Sequence, residues 1–236
     1  MWNEPGVRLS RMEAVAVRPA TRARWLGRIG YEEAWALQRE AADAVKMGGP
    51  ETLFLLEHEP VFTLGRNATR SDVLFSSGRC RELGISVVET DRGGKVTYHG
   101  PGQLVGYPIL NLHPDRRDVK RYVTDLEEAL IRTLAGFGIR ASRSQRKERV
   151  SSLWVGNDKI AAIGIHISRW VTTHGFAVNV TDEPLAYFPG IVPCGITDGG
   201  VTTMERVLGR APRLEEVSEE FAARFGEVFG REIIRA

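Results

Sequence analysis

The chain has 236 residues, of which 42% are hydrophobic and 26% charged, which is ordinary for a globular protein. Its formal net charge of +2 does not predict a nucleic-acid or membrane partner. The two cysteines lie in unlike contexts, which predicts no disulfide framework and a reducing, cytoplasmic setting. No apolar run approaches the roughly 18 residues that span a bilayer, and the N-terminus lacks the apolar stretch of a signal peptide.

The first half of the chain predicts one helix and several short strands. Residues 1–23 predict a loose tail or extension, so a single domain is expected at residues 24–236. A helix is predicted at residues 26–45, where an apolar stripe runs up to a Gly-Gly-Pro stop. Strands are predicted at residues 52–57, 61–64, 87–90 and 104–109.

The second half predicts two amphipathic helices around a group of strands. Apolar residues recur at three- and four-residue steps over residues 119–135 and again over residues 214–229. Strands are predicted at residues 152–155, 159–168 and 171–180, with a tight turn at residues 156–158. The pattern therefore predicts a mixed α+β domain with a mainly antiparallel sheet.

A glycine-rich segment at residues 92–103 (RGGKVTYHGPGQ) is the first candidate for chemistry. Glycines let the backbone approach a ligand closely, and the segment also carries arginine, lysine and histidine donors. It matches neither of the usual phosphate-binding patterns. From the spacing alone, a ligand-binding segment and a hairpin with glycine turns both remain open.

Cys194 and Lys159 are the second candidate. Cys194 lies between a proline and a glycine on a loop, either as a reachable nucleophile or as a small buried hydrophobe. Lys159 begins an apolar strand, where it is either simply solvated or, if it faces Cys194, a group that favours the thiolate. Cys80 has no chemical context and is expected to be structural. His174 precedes a strand, and the five histidines are too scattered for a local zinc motif.

Five segments in order resemble the lipoyl(octanoyl) transferase family. Residues 92–107 (RGGKVTYHGPGQLVGY) resemble its signature, residues 55–66 (LLEHEPVFTLGR) are similar to a second segment, and KIAAIG, HGFAVN and PCGI follow in the family's order. The resemblance implies a mixed, mainly antiparallel sheet with packed helices, as in the catalytic domains of biotin and lipoate protein ligases.

The resemblance also implies a reaction. The family moves an octanoyl group from octanoyl-acyl carrier protein, through a cysteine thioester, to a specific lysine of a lipoyl domain, the first step of endogenous protein lipoylation. Acceptors would be lipoyl domains of 2-oxoacid dehydrogenase E2 subunits and the glycine cleavage H protein, and neither ATP, metal nor another cofactor would be required. A basic segment at residues 140–149 would either help an acidic carrier dock or be a solvated loop.

By the same resemblance, Cys194 would be the nucleophile and Lys159 its activator. The acyl pocket would be formed by Arg92, Gly93, Gly94, Lys95, Val96, Thr97, Tyr98, His99, Ala162, Ile163, Gly164, Gly175, Phe176 and Ala177. Two alternatives remain open from the residues. One is an ATP-dependent lipoate- or biotin-type ligase, and the other is a non-catalytic scaffold that binds an acyl carrier.

Overall fold

A computed structural model describes residues 19–113, 115–144, 151–192 and 200–236, which contain two sheets and five α-helices. The strands are β1 (Ala20–Ile29), β2 (Glu51–His58), β3 (Val61–Leu64), β4 (Ser86–Glu89), β5 (Val96–His99), β6 (Gln103–Ile109), β7 (Ser142–Arg143), β8 (Ser152–Val155), β9 (Asp158–Ser168), β10 (Val171–Asn179) and β11 (Glu232–Arg235). The helices are α1 (Tyr31–Lys46), α2 (Ser77–Glu82), α3 (Val119–Gly136), α4 (Met204–Leu208) and α5 (Leu214–Phe229).

The large sheet has eight strands in the order β11-β1-β2-β6-β10-β9-β8-β7. Only β11–β1 and β1–β2 pair in parallel, and the remaining neighbours are antiparallel. The small sheet has the order β4-β3-β5, in which β3 pairs with β4 in parallel and with β5 antiparallel. This is the mixed, mainly antiparallel α+β architecture that the sequence predicts.

Helices cover both faces of the large sheet. Helices α3 and α5 pack against each other, and apolar side chains of α5 such as Phe221 and Phe225 are fully buried in the larger core. Helix α1 packs against β6 and β10 with a second core. A third core lies under the small sheet, and Cys80 is buried there as a small apolar residue. No helix in the described ranges is long and apolar enough to cross a bilayer.

Helix α1 begins later than the sequence predicts. It starts at Tyr31, because residues 26–29 continue β1, and Arg28 and Ile29 pair with the end of β2. Gly27 has a φ of +64°, and it lies where the register of β1 shifts, so an irregular strand occupies the range expected to be helical. β1 also starts at Ala20, so residues 20–23 belong to the sheet, while residues 1–18 of the predicted tail lie outside the described residues.

Helices α3 and α5 and most strands have the predicted ranges to within a few residues. Asp118 caps α3, because its side chain accepts a hydrogen bond of 3.1 Å from the amide of Arg121. Helix α2 was not predicted, since residues 66–79 have no apolar periodicity. It begins at a serine cap, where the Ser76 side chain accepts from the amide of Arg79 at 3.1 Å.

Candidate active site

A cavity of about 400 Å³ is lined by residues from both sheets and from α1. The small sheet contributes β5 and the loop before it, and the large sheet contributes β6, β9 and β10. The loop is tied to β9 by a 2.9 Å hydrogen bond from the amide of Gly93 to the carbonyl of Ile165. The volume is in the range of small-molecule sites.

The cavity brings together most of the residues that the sequence singles out. Lys159 lines it, at the start of β9. So do thirteen of the fourteen predicted pocket residues, which are Arg92, Gly93, Gly94, Lys95, Val96, Thr97, His99, Ala162, Ile163, Gly164, Gly175, Phe176 and Ala177.

Tyr98 is the predicted pocket residue that does not line the cavity. Its fully buried ring belongs to the third core, where it stacks on Tyr187 at 4.7 Å between ring centroids. Side chains alternate between the two faces of a strand, which directs Tyr98 away from its neighbours Thr97 and His99. Its hydroxyl is buried without a hydrogen-bond partner in the described structure.

Small residues form one wall of the cavity. Ala162 pairs with Ala177 and Gly164 with Gly175 across β9 and β10, on either side of the Ile163–Phe176 pair. Because side chains alternate along a strand, these two pairs share one face of the sheet, and each residue there carries at most a methyl group. A Cβ atom at Gly164 would lie 3.0 Å from the carbonyl oxygen of Gly93, which is closer than an ordinary contact. All four residues line the cavity, and we call this wall the small-residue lane.

Arg92 is a buried cation at the edge of the cavity. Its guanidinium donates to the carbonyl oxygen of Thr63 at 2.6 Å, to the Thr63 hydroxyl at 2.8 Å and to the carbonyl of Gly93 at 3.0 Å. These bonds join the loop before β5 to β3. Its positive charge lowers the pKa of His99, an effect that adds to the larger effect of burial.

Two buried histidines next to the cavity are each bonded to a tyrosine. His58 contacts the carbonyl of Ile29 through Nδ1 at 3.0 Å and the Tyr107 hydroxyl through Nε2 at 2.7 Å. His174 contacts Asp91 through Nε2 at 2.7 Å and the Tyr31 hydroxyl through Nδ1 at 3.4 Å. Both tyrosines and His174 line the cavity.

Burial keeps these imidazoles neutral. It lowers the pKa of His58 to about 4, and it also lowers the pKa of His174, although the hydrogen bond to Asp91 acts in the opposite direction. The pKa of Asp91 is itself lowered, chiefly by its hydrogen bond to His174, so the pair is a carboxylate and a neutral ring. Among the described residues, no cluster of three or more metal-ligating side chains is arranged to hold a metal ion.

A third histidine, His99, is linked to the backbone next to Lys159. His99 Nδ1 lies 3.2 Å from Gln103 Oε1, Gln103 Nε2 donates to Asn179 Oδ1 at 3.0 Å, and Asn179 Nδ2 donates to the carbonyl of Thr202 at 3.0 Å. The amide of Thr202 in turn donates to the carbonyl of Lys159 at 2.9 Å.

The strand start at Lys159 is also paired with Gly200. The amide of Lys159 donates to the carbonyl of Gly200 at 3.0 Å, and the amide of Gly200 donates to Asp158 at 2.9 Å. At Val192, the last described residue before position 193, the amide donates to the carbonyl of Asp72 at 2.8 Å. The predicted nucleophile Cys194 belongs to residues 193–199, which lie outside the described residues.

The chain matches the model of the lipoyl protein ligase A/B catalytic domain over residues 30–226. It is 46% identical over 217 residues to an octanoyltransferase of Caldicellulosiruptor bescii, covering 89% of this chain and 91% of that protein. It is 48% identical over 218 residues to an octanoyltransferase of Myxococcus xanthus, which covers 89% of this chain. The match spans only 60% of the length of the Myxococcus protein.

The chain belongs to the octanoyltransferases of the lipoyl protein ligase A/B family. This confirms the predicted family and the predicted class of enzyme, an acyltransferase.

Solved structures of lipoate protein ligases share the fold of this octanoyltransferase. A lipoate-protein ligase A bound with ATP superposes with a TM-score of 0.77 at 16% identity, covering 92% of this chain and 88% of that one. The bipartite lipoate protein ligase of Thermoplasma acidophilum superposes with a TM-score of 0.74 at 17% identity, covering 92% and 87%. The predicted fold class is thereby confirmed.

The sequence does not predict a role for several residues that line the octanoyltransferase cavity or lie next to it. Tyr107 and Gln103 lie inside the quoted signature segment and Asn179 ends HGFAVN, so the motifs contained them without assigning them a role. His58 lies in the second quoted segment in the same way. Tyr31 carries no such signal, because its contact with the cavity depends on how α1 packs on the sheet.

Proposed function

We propose that this protein transfers an octanoyl group from octanoyl-acyl carrier protein to a lysine of a lipoyl domain through a thioester on Cys194. The observation that carries the proposal is a cavity lined by both Lys159 and the small-residue lane. It occurs in a chain whose relatives at 46–49% identity are octanoyltransferases.

The small-residue lane suits a straight acyl chain. The seven C–C bonds of an octanoyl group, each about 1.5 Å long, reach no more than about 10 Å. The lane runs two residues along β9, from Ala162 to Gly164, which is about 6.6 Å at about 3.3 Å per residue, so it can contact about two thirds of an extended octanoyl chain. Burial of six methylenes at about 0.8 kcal/mol each contributes about 5 kcal/mol before ordering costs.

In the acylation step, the Cys194 thiolate attacks the carbonyl carbon of the carrier's thioester. A new C–S bond to Cys194 forms, the C–S bond to the carrier breaks, and the departing sulfur takes a proton from the Lys159 ammonium. A cation beside the cysteine favours the thiolate and so lowers the thiol pKa. Lys159 supports this role because it lines the cavity and its backbone pairs with Gly200, six positions after Cys194.

In the transfer step, the neutral amine of the lipoyl-domain lysine attacks the octanoyl thioester. The C–N bond forms, the bond to Cys194 breaks with its electron pair on sulfur, and Lys159 accepts the proton that the amine releases. The cysteine and lysine thus return to their starting charges. Exchange between two thioesters is nearly balanced and formation of the amide is downhill, so no ATP is consumed.

The proposed partners are an acidic carrier protein and lipoyl domains such as those of 2-oxoacid dehydrogenase E2 subunits and the glycine cleavage H protein, in the cytoplasm. The basic segment proposed to help the carrier dock is only partly described, since residues 145–150 lie outside the described residues. Within the described part, Arg143 pairs with Glu127 at 3.1 Å and with Glu128 at 2.8 Å, which neutralises much of its charge.

The decisive assay mixes the protein with octanoyl-acyl carrier protein and a lipoyl domain in the absence of ATP. The account predicts an increase in the lipoyl-domain mass by one octanoyl group on a single lysine. An ATP-dependent ligase would require added ATP and free octanoate, and a scaffold would bind the carrier without transfer. Either of those results would overturn the proposal.

The role of Lys159 is tested by the pH dependence of Cys194 alkylation in a Cys80→Ala background, which leaves one cysteine. Lys159→Ala is expected to raise the pKa of the thiol toward its ordinary value near 8.5. Lys120→Ala, on the exposed face of α3, is the matched control and should leave the titration unchanged. An unchanged thiol pKa in Lys159→Ala would contradict the activating role.

A further inference from the structure

The hydrogen-bond chain from His99 to Thr202 has a forced direction. It ends at the carbonyl of Thr202, a group that only accepts hydrogen bonds. The Asn179 group that faces this carbonyl is therefore its NH₂, which leaves Asn179 Oδ1 to face Gln103. Since that oxygen also only accepts, the Gln103 group that meets it is the NH₂.

The same logic fixes the tautomer of His99. With the Gln103 NH₂ used at Asn179, the Gln103 oxygen faces His99 Nδ1, and this oxygen needs a donor. The proton of the neutral His99 ring therefore lies on Nδ1. Nε2 carries the lone pair, so it can accept a hydrogen bond but cannot donate one.

Nε2 is thus the polar atom that His99 can offer to a ligand. His99 is 8% exposed and lines the cavity, and among the described residues the only hydrogen bond of its ring is the one through Nδ1. The Tyr31 ring stacks on it at 6.4 Å, and the His58 ring lies 6.0 Å away. The titratable or charged groups around it are His58, Arg92, His174 and Tyr31, and the Tyr107 ring lies next to His58 at 5.8 Å.

We propose that His99 orients the attacking lysine amine in the transfer step, and that Gln103 and Asn179 are positioning residues that hold His99 in the Nδ1–H tautomer. This inference rests on the proposed function. The attacking amine carries two N–H groups. One proton passes to Lys159, and the other N–H donates to His99 Nε2, which keeps no proton at the end of the step.

The chemistry favours an amine over the acyl carbonyl as the partner of Nε2. A carbonyl oxygen and a lone pair on nitrogen are both acceptors, so they repel each other, whereas an amine supplies a donor. Burial lowers the pKa of His99 well below its ordinary value, and the neighbouring positive charge of Arg92 acts in the same direction. The ring therefore remains an acceptor at neutral pH.

Gln103 and Asn179 also connect His99 to the strand start at Lys159. Asn179 holds the carbonyl of Thr202, whose amide is bonded to the carbonyl of Lys159. The His99 ring and the backbone from which the Lys159 side chain extends are thus attached to one hydrogen-bonded frame. Such a frame fixes the direction from which the amine approaches.

The tautomer is tested directly in the intact wild-type protein by long-range ¹⁵N–¹H correlation of the histidine rings. The expected result for His99 is a neutral ring with its proton on Nδ1 at pH 7. A neutral ring protonated on Nε2, or an imidazolium at pH 7, would overturn the inference. The tautomer is measured without catalysis, so failure of this inference can be distinguished from failure of the proposed function.

The role in transfer is tested with Gln103→Glu, measured in two half-reactions. The introduced carboxylate can no longer donate to Asn179 Oδ1, but it faces Nδ1–H and favours the charged ring, so the pKa of His99 rises and Nε2 becomes a donor. Transfer from the octanoyl-enzyme to the lipoyl domain should slow about tenfold at pH 7, the equivalent of one hydrogen bond to a reacting group. It should recover at higher pH, while octanoylation of Cys194 by the carrier keeps its rate.

Asn179→Asp is the matched comparison, because it adds a carboxylate to the same buried chain but not against His99. Its pH profile for transfer should be shifted less than that of Gln103→Glu, with the Nδ1–H tautomer retained. Equal slowing of both half-reactions in Gln103→Glu, without recovery at higher pH, would mean that the amides only support the cavity. That result would overturn the proposal, and so would a transfer rate that does not change when the protonation of His99 changes.

Discussion

Three buried histidines make the folded state sensitive to acid. The pKa values of His58, His99 and His174 are all lowered, with burial as the largest cause, so these rings bind protons less readily when folded. Below pH 6.5 the unfolded chain gains protons that the folded chain does not, and stability falls as the pH decreases. For His58 this loss continues down to about pH 4.

The free energy of unfolding, measured by urea titration, should therefore fall between pH 7 and pH 5. Each histidine that stays neutral in the folded state contributes about 2 kcal/mol to this fall. His58→Gln should have a shallower dependence than the wild type over the same interval. Equal stability at pH 7 and pH 5 would contradict neutral, buried rings.

A second prediction concerns Gly164 in the small-residue lane. A Cβ atom there would press on the carbonyl of Gly93 at 3.0 Å and on Arg92 Cδ at 3.4 Å. Both residues line the cavity, so Gly164→Ala is expected to shift them and change the shape of the cavity. The rate of enzyme acylation with octanoyl donors should fall by about tenfold, as for a misfit of one methyl group, and with butanoyl donors much less.

Gly78→Ala is the matched control, since its Cβ would lie 3.7 Å from Ser76 Oγ, an ordinary contact. It should leave the chain-length preference unchanged. If Gly164→Ala reduced acylation by the two donors to the same extent, the lane would not be where the acyl chain binds.

The sequence predicts individual site residues only where a motif carries them. Lys159 and thirteen pocket residues, assigned through the resemblance, do line one cavity. Tyr98 lies in the same motif, but which face of β5 it occupies depends on how the small sheet packs. The orientations of Gln103 and Asn179 depend on the Thr202 carbonyl, more than twenty residues after Asn179, and no local pattern encodes that contact.

Among the secondary-structure elements, the β9–β10 hairpin has a turn in which a substitution is expected to stabilise the protein. Its two turn residues, Arg169 and Trp170, have φ values of +51° and +64°, the left-handed conformation that two-residue hairpin turns require. Ordinary side chains are strained there, whereas asparagine tolerates it. Trp170 packs against the larger core, so the exposed Arg169 is the better position to change.

Arg169→Asn should stabilise the protein by about 0.5–1 kcal/mol, visible as a rise of a few degrees in Tm by calorimetry. Arg169→Val, a β-branched residue at the same exposed position, should lower Tm instead. A lower Tm in Arg169→Asn would show that the arginine side chain contributes more than its backbone strain costs.

The elements themselves were predictable where periodicity and stop signals agree. Helix α3 has both an apolar repeat and closing glycines, and its predicted range differs from the structure by one residue. The start of α1 was not predictable in this way, because pairing between β1 and β2 outweighs the helical pattern of residues 26–29. The 193–199 segment, which holds the predicted nucleophile, lies outside the described residues.

At the level of the complete fold, a buried ion-pair cluster joins the C-terminal end of the chain to the middle. Arg231 donates to Glu51 at 2.7 Å and to Asp115 at 2.8 Å, and its side chain is only 3% exposed. Glu51 also accepts from the amide of Asn111 at 3.1 Å. The cluster therefore ties the segment before β11 to β2 and to the segment after β6.

Arg231→Ala should cost about 3 kcal/mol of unfolding free energy, because it leaves the Glu51 carboxylate buried without its cation. Arg231→Met should lose unfolding free energy for the same reason. Adding Glu51→Gln to Arg231→Met should recover part of that free energy, since no unpaired carboxylate then remains at position 51. Urea unfolding of the single and double variants checks both statements. If the free-energy losses of the two single variants simply added in the double variant, Arg231 and Glu51 would not be coupled.

The most direct test of the complete account is the mass of the enzyme after reaction with octanoyl-acyl carrier protein alone, followed by peptide mapping. The account predicts a single octanoyl group on Cys194, released when a lipoyl domain is added and found afterwards on one lysine of that domain. Cys194→Ser should form no ordinary thioester. An octanoyl thioester on another residue, or transfer to the lipoyl domain by Cys194→Ser at the wild-type rate, would contradict it.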